Sequence, residues 1–265
     1  MFTRSDRKNS LDAHTGCPVR FRCNTDRRNN HPQRIQMINA PRVWMDRELA
    51  AFGASLPAGA FVLDAGAGSQ RYKTKFAHCA YESTDFEQVN KLYKASTYVC
   101  DLRSLPIADA RFDAVVFTQV MEHLPDPLTV VRELSRVLKP SGKLFYSGPF
   151  WYEEHEQPYD FYRYTQFAIR HIFENADFQI TELRWLDGYM ASVAHQLRRM
   201  QRALPRTPAG YGRMPFNLLP FIAFNLFRLP CALLASLAAR CDVSKRFTDR
   251  GYPMNYMAIL QKNVS

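Results

Sequence analysis

The 265-residue sequence predicts an α/β fold built on a doubly wound, mostly parallel sheet, and three observations carry that expectation. A short apolar run, Phe61-Val62-Leu63, ends in Asp64 and a turn containing Gly66 and Gly68. Further short apolar runs follow at regular intervals, two of them ending in acids, Asp85 and Asp101. Helical periodicity appears between such runs, most clearly at Val130, Val131, Leu134, Val137 and Leu138. Alternating strand and helix signals of this kind mark a parallel sheet covered by helices.

The first strand suits a position buried on both faces, because its apolar residues run without alternation. Gly66 and Gly68 let the backbone turn sharply and approach a ligand with no Cβ in the way. A turn at the carboxyl end of a strand is where open α/β sheets bind ligands, so a nucleotide cofactor is expected there. A dinucleotide fingerprint needs a third glycine, and Arg71 stands in that place. A phosphate loop is excluded as well, since no Gly-Lys-Ser/Thr follows.

Tyr81 to Asp85 is the second strand. Its terminal carboxylate is placed to accept hydrogen bonds from vicinal ribose hydroxyls, with a helix N-cap as the alternative role. Tyr98 to Asp101 gives a third strand and Phe112 to Phe117 a fourth, with Asp113 at its start assigned to structure. Pro125 and Pro127 place Glu122-His123 at a helix start or loop, which suits orienting or capping more than acid/base work. The following helix stops at Lys139-Pro-Ser-Gly142, and Lys143 to Ser147 forms the fifth strand.

In order and wording, Asp64-x-Gly66-x-Gly68, Leu105-Pro106, Phe112-Asp113, Glu122-His123 and Arg136-Val-Leu-Lys-Pro-Ser-Gly142 resemble the type 11 group of class I S-adenosylmethionine-dependent methyltransferases. The resemblance spans roughly residues 60 to 185 and departs at Gln70, where many members carry a further glycine. It implies a Rossmann-like sheet of seven strands, six parallel and the last antiparallel, with S-adenosylmethionine as cofactor. On this resemblance Asp64, Gly66, Gly68 and Asp85 serve the cofactor site. Asp101 accepts from the adenine amino group, the Leu102 N–H meets a ring nitrogen, and Thr118 to Val120 face the methionine part. Arg71-Tyr72 stand near its carboxylate.

The methyl group of such a cofactor is already activated. The protein has to hold an acceptor in line, about 3 Å away, and exclude water. Phe150 to Thr165 lies just past the fifth strand and is expected to form a wall of the acceptor pocket. Trp151, Tyr152, Asp160 and Arg163 are its candidate substrate contacts, and His155 its candidate general base. A hydrogen-bonded clamp of His155, Asp160 and Arg163 that orders the loop is the alternative. Similar segments occur in methyltransferases of cell-surface polysaccharide pathways, which suggests a glycan or lipid-linked acceptor methylated at oxygen.

Domain organisation follows. Residues 1–36 are expected to be a basic flexible arm, residues 37–185 the cofactor-binding core, residues 186–250 an insertion, and residues 251–265 the final strand of the core. Thr165 to Ala176 reads as a helix and Phe178 to Trp185 as a sixth strand. The insertion is basic in its first half and strongly apolar from Pro215 to Ala239. A transmembrane helix needs about twenty consecutive apolar residues, and Pro220, Asn225, Arg228 and Pro230 interrupt this run. A helical lid, a dimer contact and an element lying on anionic lipid all remain open.

Six cysteines are scattered singly, as suits reduced thiols in a cytoplasmic protein, and His14, Cys17, Cys23 and His31 match no usual metal spacing. No metal is expected. The N-terminus lacks the apolar core of a secretory signal. The net charge of +10 sits largely in the arm and the insertion, not in an RNA-binding module. A small-molecule or glycan acceptor is therefore expected ahead of nucleic acid. An RNA methyltransferase and a non-catalytic cofactor-binding partner protein stand as alternatives.

Overall fold

The structure is a computed structural model that describes residues 38–87, 94–213 and 215–264. The expected N-terminal arm and its cysteine–histidine group lie outside the described residues. Residues 37–265 form one compact unit. Its centre is a seven-stranded sheet: β1 (Phe61–Ala65), β2 (Ala80–Asp85), β3 (Tyr98–Val99), β4 (Phe112–Thr118), β5 (Leu138–Pro149), β6 (Phe178–Trp185) and β7 (Asn255–Lys262). The spatial order is β3-β2-β1-β4-β5-β7-β6. The chain winds outward from β1 to one edge, returns to β4, and winds to the other. Only β7 runs antiparallel, between β5 and β6.

Side-chain alternation divides the core between the two sheet faces. Leu63, Val115, Phe117, Leu144 and Tyr146 point to one face. There they meet Val130, Val131, Leu134 and Val137 of α2 (Pro127–Val137) and Ile169 and Phe173 of α3 (Gln166–Glu174). Val62, Ala114, Val116, Phe145 and Met257 point to the other, against Met45, Leu49 and Phe52 of α1 (Ala40–Ala54). Each helix starts at a side-chain cap: Asn39, Asp126 and Thr165 accept the backbone N–H of Arg42, Thr129 and Ala168.

Two local expectations change. The crossover from β1 to β2 carries only a short 3₁₀ turn, Lys73–Phe76. The turn at Lys139–Gly142 is a bulge inside a longer β5, whose pairing with β4 shifts between Phe112↔Leu138 and Ala114↔Lys143. Asp113 is structural: it accepts the Phe61 N–H at 2.9 Å and the Lys139 ammonium at 2.7 Å, locking β1, β4 and the bulge together.

The segment between β6 and β7 is helical, with α4 (Tyr189–Ala203), α5 (Leu218–Leu226) and α6 (Arg228–Ser244). Small residues make the α4–α6 contact, Ala191 and Ala194 against Ala238 and Ala239. The Trp44 indole N–H donates to Asp242 at 2.9 Å, fixing the end of α6 to α1. Asp187 receives the Met254 N–H and the Asn255 amide, both at 2.7 Å, so the start of the insertion is stitched to the start of β7. The break between α5 and α6 is held by Arg228, which donates to the carbonyls of Gln201, Leu204 and Pro205.

Candidate active site

Two cavities meet at the carboxyl ends of the parallel strands, where a doubly wound sheet reverses direction. The first, about 240 Å³, is lined by Gly66, Asp85, Asp101 and Leu102 from the ends of β1 to β3, together with Gln119, Val120, His123 and Phe161. The second, about 330 Å³, lies between α1, α4 and the loop after β5. Gln119 lines both. Its φ of 56° puts it in the left-handed region, and its N–H donates to Ser147 O at 2.8 Å. A non-glycine residue held there costs of order 1–3 kcal/mol, which the surrounding structure must over-determine.

The glycine turn is built by its neighbours. Gly66 and Ala67 donate their N–H groups to Thr84 O at 2.8 and 2.9 Å, and Gly68 donates to Asp85 Oδ2 at 2.8 Å. At Gly66 (φ +76°) a Cβ would stand 2.5 Å from a Val120 methyl, so the close approach of strand and loop needs glycine. Gln70, the departure from the expected pattern, still takes a left-handed backbone (φ 51°). Its side chain is buried, with the amide donating to Ala95 O and Ser83 Oγ.

Among the residues expected at the cofactor, Gly66, Asp85, Asp101 and Leu102 line the first cavity. Asp64, Gly68 and Thr118 do not line it. Asp64 is buried beneath the turn, accepting the Tyr81 hydroxyl. Burial, with Asp85 nearby, pushes its carboxyl up to about 6. Asp101 is held by Arg103 through contacts of 2.7–3.2 Å, and that guanidinium lowers its carboxyl below the usual range.

The loop after β5 is ordered by a clamp. Arg163 grips Asp160 with two bonds, 2.7 and 2.8 Å, and donates to the carbonyls of Tyr152, Glu153 and Tyr162. Burial raises the Asp160 carboxyl, but the Arg163 bonds prevail and hold it at about 2. Asp160 also receives the His155 N–H at 2.7 Å. Asp160 and Arg163 line neither cavity, so of their two expected roles the loop-ordering clamp is the one the bonds display and acceptor contact is not. Trp151 stands outside both as well, packed on Tyr252. Tyr152 and His155 do line the second cavity.

Glu122 and His123 form the joint between this loop and the first cavity. The Glu122 carbonyl receives the Phe161 and Tyr162 N–H groups, and His123 Nδ1 lies 2.6 Å from Tyr159 O. The Glu122 carboxyl is fully buried, with no hydrogen-bond partner for either oxygen, and burial pushes it up to about 8. Its ligand atoms and those of His123 and His155 all lie within 4.8 Å of one another. The orienting role expected of Glu122-His123 fits the backbone bonds.

Sequence reasoning missed His195 and Arg198 as site residues, and it did not single out Gln119 within Thr118 to Val120 or Phe161 within the expected pocket wall. Gln119 carries no glycine to announce its backbone, and the others reach the site only through the fold.

The comparisons with known proteins agree with this geometry. Residues 63–146 match the methyltransferase domain family. A ubiquinone biosynthesis O-methyltransferase of Xanthomonas oryzae pv. oryzae is 34% identical over 103 residues, covering 34% of this chain and 43% of that protein. An arsenite methyltransferase of Aquipseudomonas alcaligenes is 38% identical over 74 residues, 28% of this chain and 21% of that protein. The chain thus spans less than half the length of the curated relatives it matches.

Among solved structures, the [4+2]-cyclase SpnF superposes with a TM-score of 0.51 at 18% identity, covering 85% of this chain and 82% of the other. A putative sarcosine dimethylglycine methyltransferase of Galdieria sulphuraria gives 0.50 at 15% identity, covering 83% and 86%. These structural likenesses show the fold. The family match and the glycine-turn cleft mark residues 63–146 as a methyltransferase domain within that fold, with S-adenosylmethionine as its cofactor.

Proposed function

We propose that the chain transfers the methyl group of S-adenosylmethionine to an oxygen of a small-molecule, glycan or lipid-linked acceptor. The observation that carries this reading is Gln119, which belongs to the walls of two separate cavities. A cofactor in the first and an acceptor in the second would meet across this residue. The cofactor brings an activated sulfonium methyl. The protein's part is positioning and exclusion of water.

The first cavity fits the cofactor. Asp85 has one oxygen fixed by the Gly68 N–H, which aims the carboxylate at the cavity and leaves acceptor capacity for ribose hydroxyls. Leu102, Leu124 and Val130 give apolar surface for a base, beside Asp101. His155 lines the second cavity with its ring 4.7 Å from that of His123 and Nδ1 3.3 Å from Asp160. A carboxylate behind the ring suits a base that takes a proton from an acceptor hydroxyl through its other nitrogen. The oxygen target has support from the name of the ubiquinone biosynthesis O-methyltransferase relative. The fold does not decide the reaction, since a cyclase shares it.

A second reading concerns location: a cytoplasmic protein resting on a membrane surface. Leu218–Ser244 is long and apolar enough to cross a membrane. Yet α6 buries its small residues, Cys231, Ala235, Ala238 and Ala239, and exposes Leu229, Leu233, Leu234 and Leu237 by 54–69%. That is the reverse of a soluble helix and suits large side chains resting in lipid. The bond from Trp44 to Asp242 favours a helix lying on the surface over one surrounded by lipid. Free thiols at Cys79, Cys100, Cys231 and Cys241 suit a reducing compartment.

Incubation with methyl-labelled S-adenosylmethionine and separated pools of polar metabolites, lipids and RNA tests the reaction. Label in the metabolite or lipid pool is expected. Label confined to RNA would replace the acceptor class, and binding without transfer to any pool would leave a non-catalytic partner protein.

A further inference from the structure

The second cavity has a one-sided chemistry. Arg42, Arg71 and Arg198 line it with His155 and His195, and no Asp or Glu does. Several buried or half-buried guanidinium groups elsewhere in the fold are matched by carboxylates, Arg136 by Glu133, Arg163 by Asp160, Arg184 and Arg246 by Glu48. Among the described residues no carboxylate pairs with Arg42, Arg71 or Arg198. Arg198 is the most constrained of the three. It is half-buried on α4, donates one bond to Ile38 O at 2.8 Å, and has a buried Nε with no partner.

Leaving a guanidinium partly desolvated with an unused donor is unfavourable unless something completes it. Its burial, with Arg202 nearby, weakens its hold on the proton, in keeping with a missing counter-charge. Arg42 and Arg71 are exposed at the same cavity. Three like charges in one concave site focus a positive potential that draws in anions. Tyr72, Tyr152 and Met45 supply flat and apolar walls beside them.

We propose that this cavity is the acceptor pocket and that it selects acceptors carrying an oxyanion, a carboxylate or a phosphate, bound by Arg198 with Arg42 and Arg71 at its mouth. This rests on the methyltransferase reading above and adds the acceptor's charge class to it. A planar guanidinium matches either oxyanion with paired hydrogen bonds. The anionic end lies toward α4, and the atom to be methylated lies toward Gln119 and His155. The helix that presents the apolar face, α6, gives Ala239 to this lining beside Arg198 of α4.

The test is calorimetry on the full chain, first with S-adenosylhomocysteine, then on the protein saturated with it. Saturation fills any arginine contact that belongs to the cofactor. The probes are phenyl phosphate, benzoate and uncharged benzyl alcohol, against wild type, Arg198→Gln and the mouth variant Arg71→Gln. One or both charged probes are expected to bind at least about tenfold tighter than benzyl alcohol, and Arg198→Gln to remove that advantage, as loss of a charge-assisted bond implies. Which charged probe wins separates phosphate from carboxylate.

Equal binding of all three probes would overturn the proposal. So would weakened S-adenosylhomocysteine binding by Arg198→Gln with unchanged probe binding, since the arginine would then serve the cofactor. Failure of S-adenosylhomocysteine to bind at all would instead strike the methyltransferase reading. Should Arg198→Gln fold poorly, Arg71→Gln, at an exposed position, still has to weaken the charged probes selectively.

Discussion

Asp85 accepts the Gly68 N–H at 2.8 Å, so the acid that ends β2 holds the glycine turn that ends β1. Its other oxygen receives the Glu87 N–H at 2.9 Å. One carboxylate thus orders both loops that flank the first cavity. Asp85→Asn keeps an oxygen for the Gly68 bond, whereas Asp85→Ala leaves that N–H without its partner. Thermal unfolding is expected to show the Ala variant about 1–2 kcal/mol less stable and the Asn variant close to wild type. Both are expected to bind the cofactor more weakly, because neither offers the ribose a charged acceptor.

Gly66→Ala and Gly68→Ala separate steric from conformational demands. Both glycines have positive φ, but only at Gly66 would a Cβ collide, 2.5 Å from Val120. Gly68 has nothing within 4 Å. Gly68→Ala is expected to cost about 1 kcal/mol and leave cofactor binding measurable. Gly66→Ala is expected to cost more and to abolish binding, because Val120 forms the cavity wall it displaces. Denaturant titration with parallel calorimetry distinguishes the two.

His155 and Arg163 are expected to fail in different ways. His155→Ala keeps the clamp and is expected to bind cofactor normally while turnover falls about a hundredfold or more. Unchanged turnover would remove His155 as the base. Arg163→Ala leaves the Asp160 carboxylate, almost wholly buried, without its counter-charge. A loss of several kcal/mol is typical when one partner of a buried pair is removed, so this variant is expected to unfold earlier as well as lose activity.

Asp64 gives a pH signature. Its carboxyl ordinarily titrates near 3.8 and is pushed up to about 6 by burial, so between those values the folded protein holds a proton the unfolded chain has lost. Its contribution favours folding below about pH 4 and is lost as pH rises through 6. The full difference corresponds to about 3 kcal/mol. Asp64→Asn removes the titration and keeps an oxygen for the Tyr81 hydroxyl. Relative to wild type, its melting temperature is expected to rise between pH 4 and 6 and then level off. A difference independent of pH would contradict the assignment.

What the sequence disclosed followed the range of the interactions involved. The strand at Phe61–Leu63, the glycine turn and the helix at Val130–Val137 are encoded by neighbours in the chain, and they stand where periodicity places them. Asp113 also declared itself, since an acid at the start of a buried strand has little to do but pair locally. Gln119 was legible only as part of Thr118 to Val120, because its left-handed backbone is imposed by packing and no glycine marks it. Arg163 read either as a substrate contact or as a clamp, because its carbonyl partners cannot be seen in a list of side chains. The second cavity was the least legible. It joins Arg42, Gln119, His155 and Arg198, residues brought together by the return of the insertion across α1, and no local pattern encodes such a meeting.

The most direct measurement is calorimetric titration of the purified chain with S-adenosylmethionine, with Asp85→Ala as the control. Binding with a dissociation constant in the micromolar range, lost in the variant while its fold persists, is the predicted result. A folded wild-type protein that takes up no cofactor, or a variant that binds as well as wild type, would contradict the assignment of the first cavity.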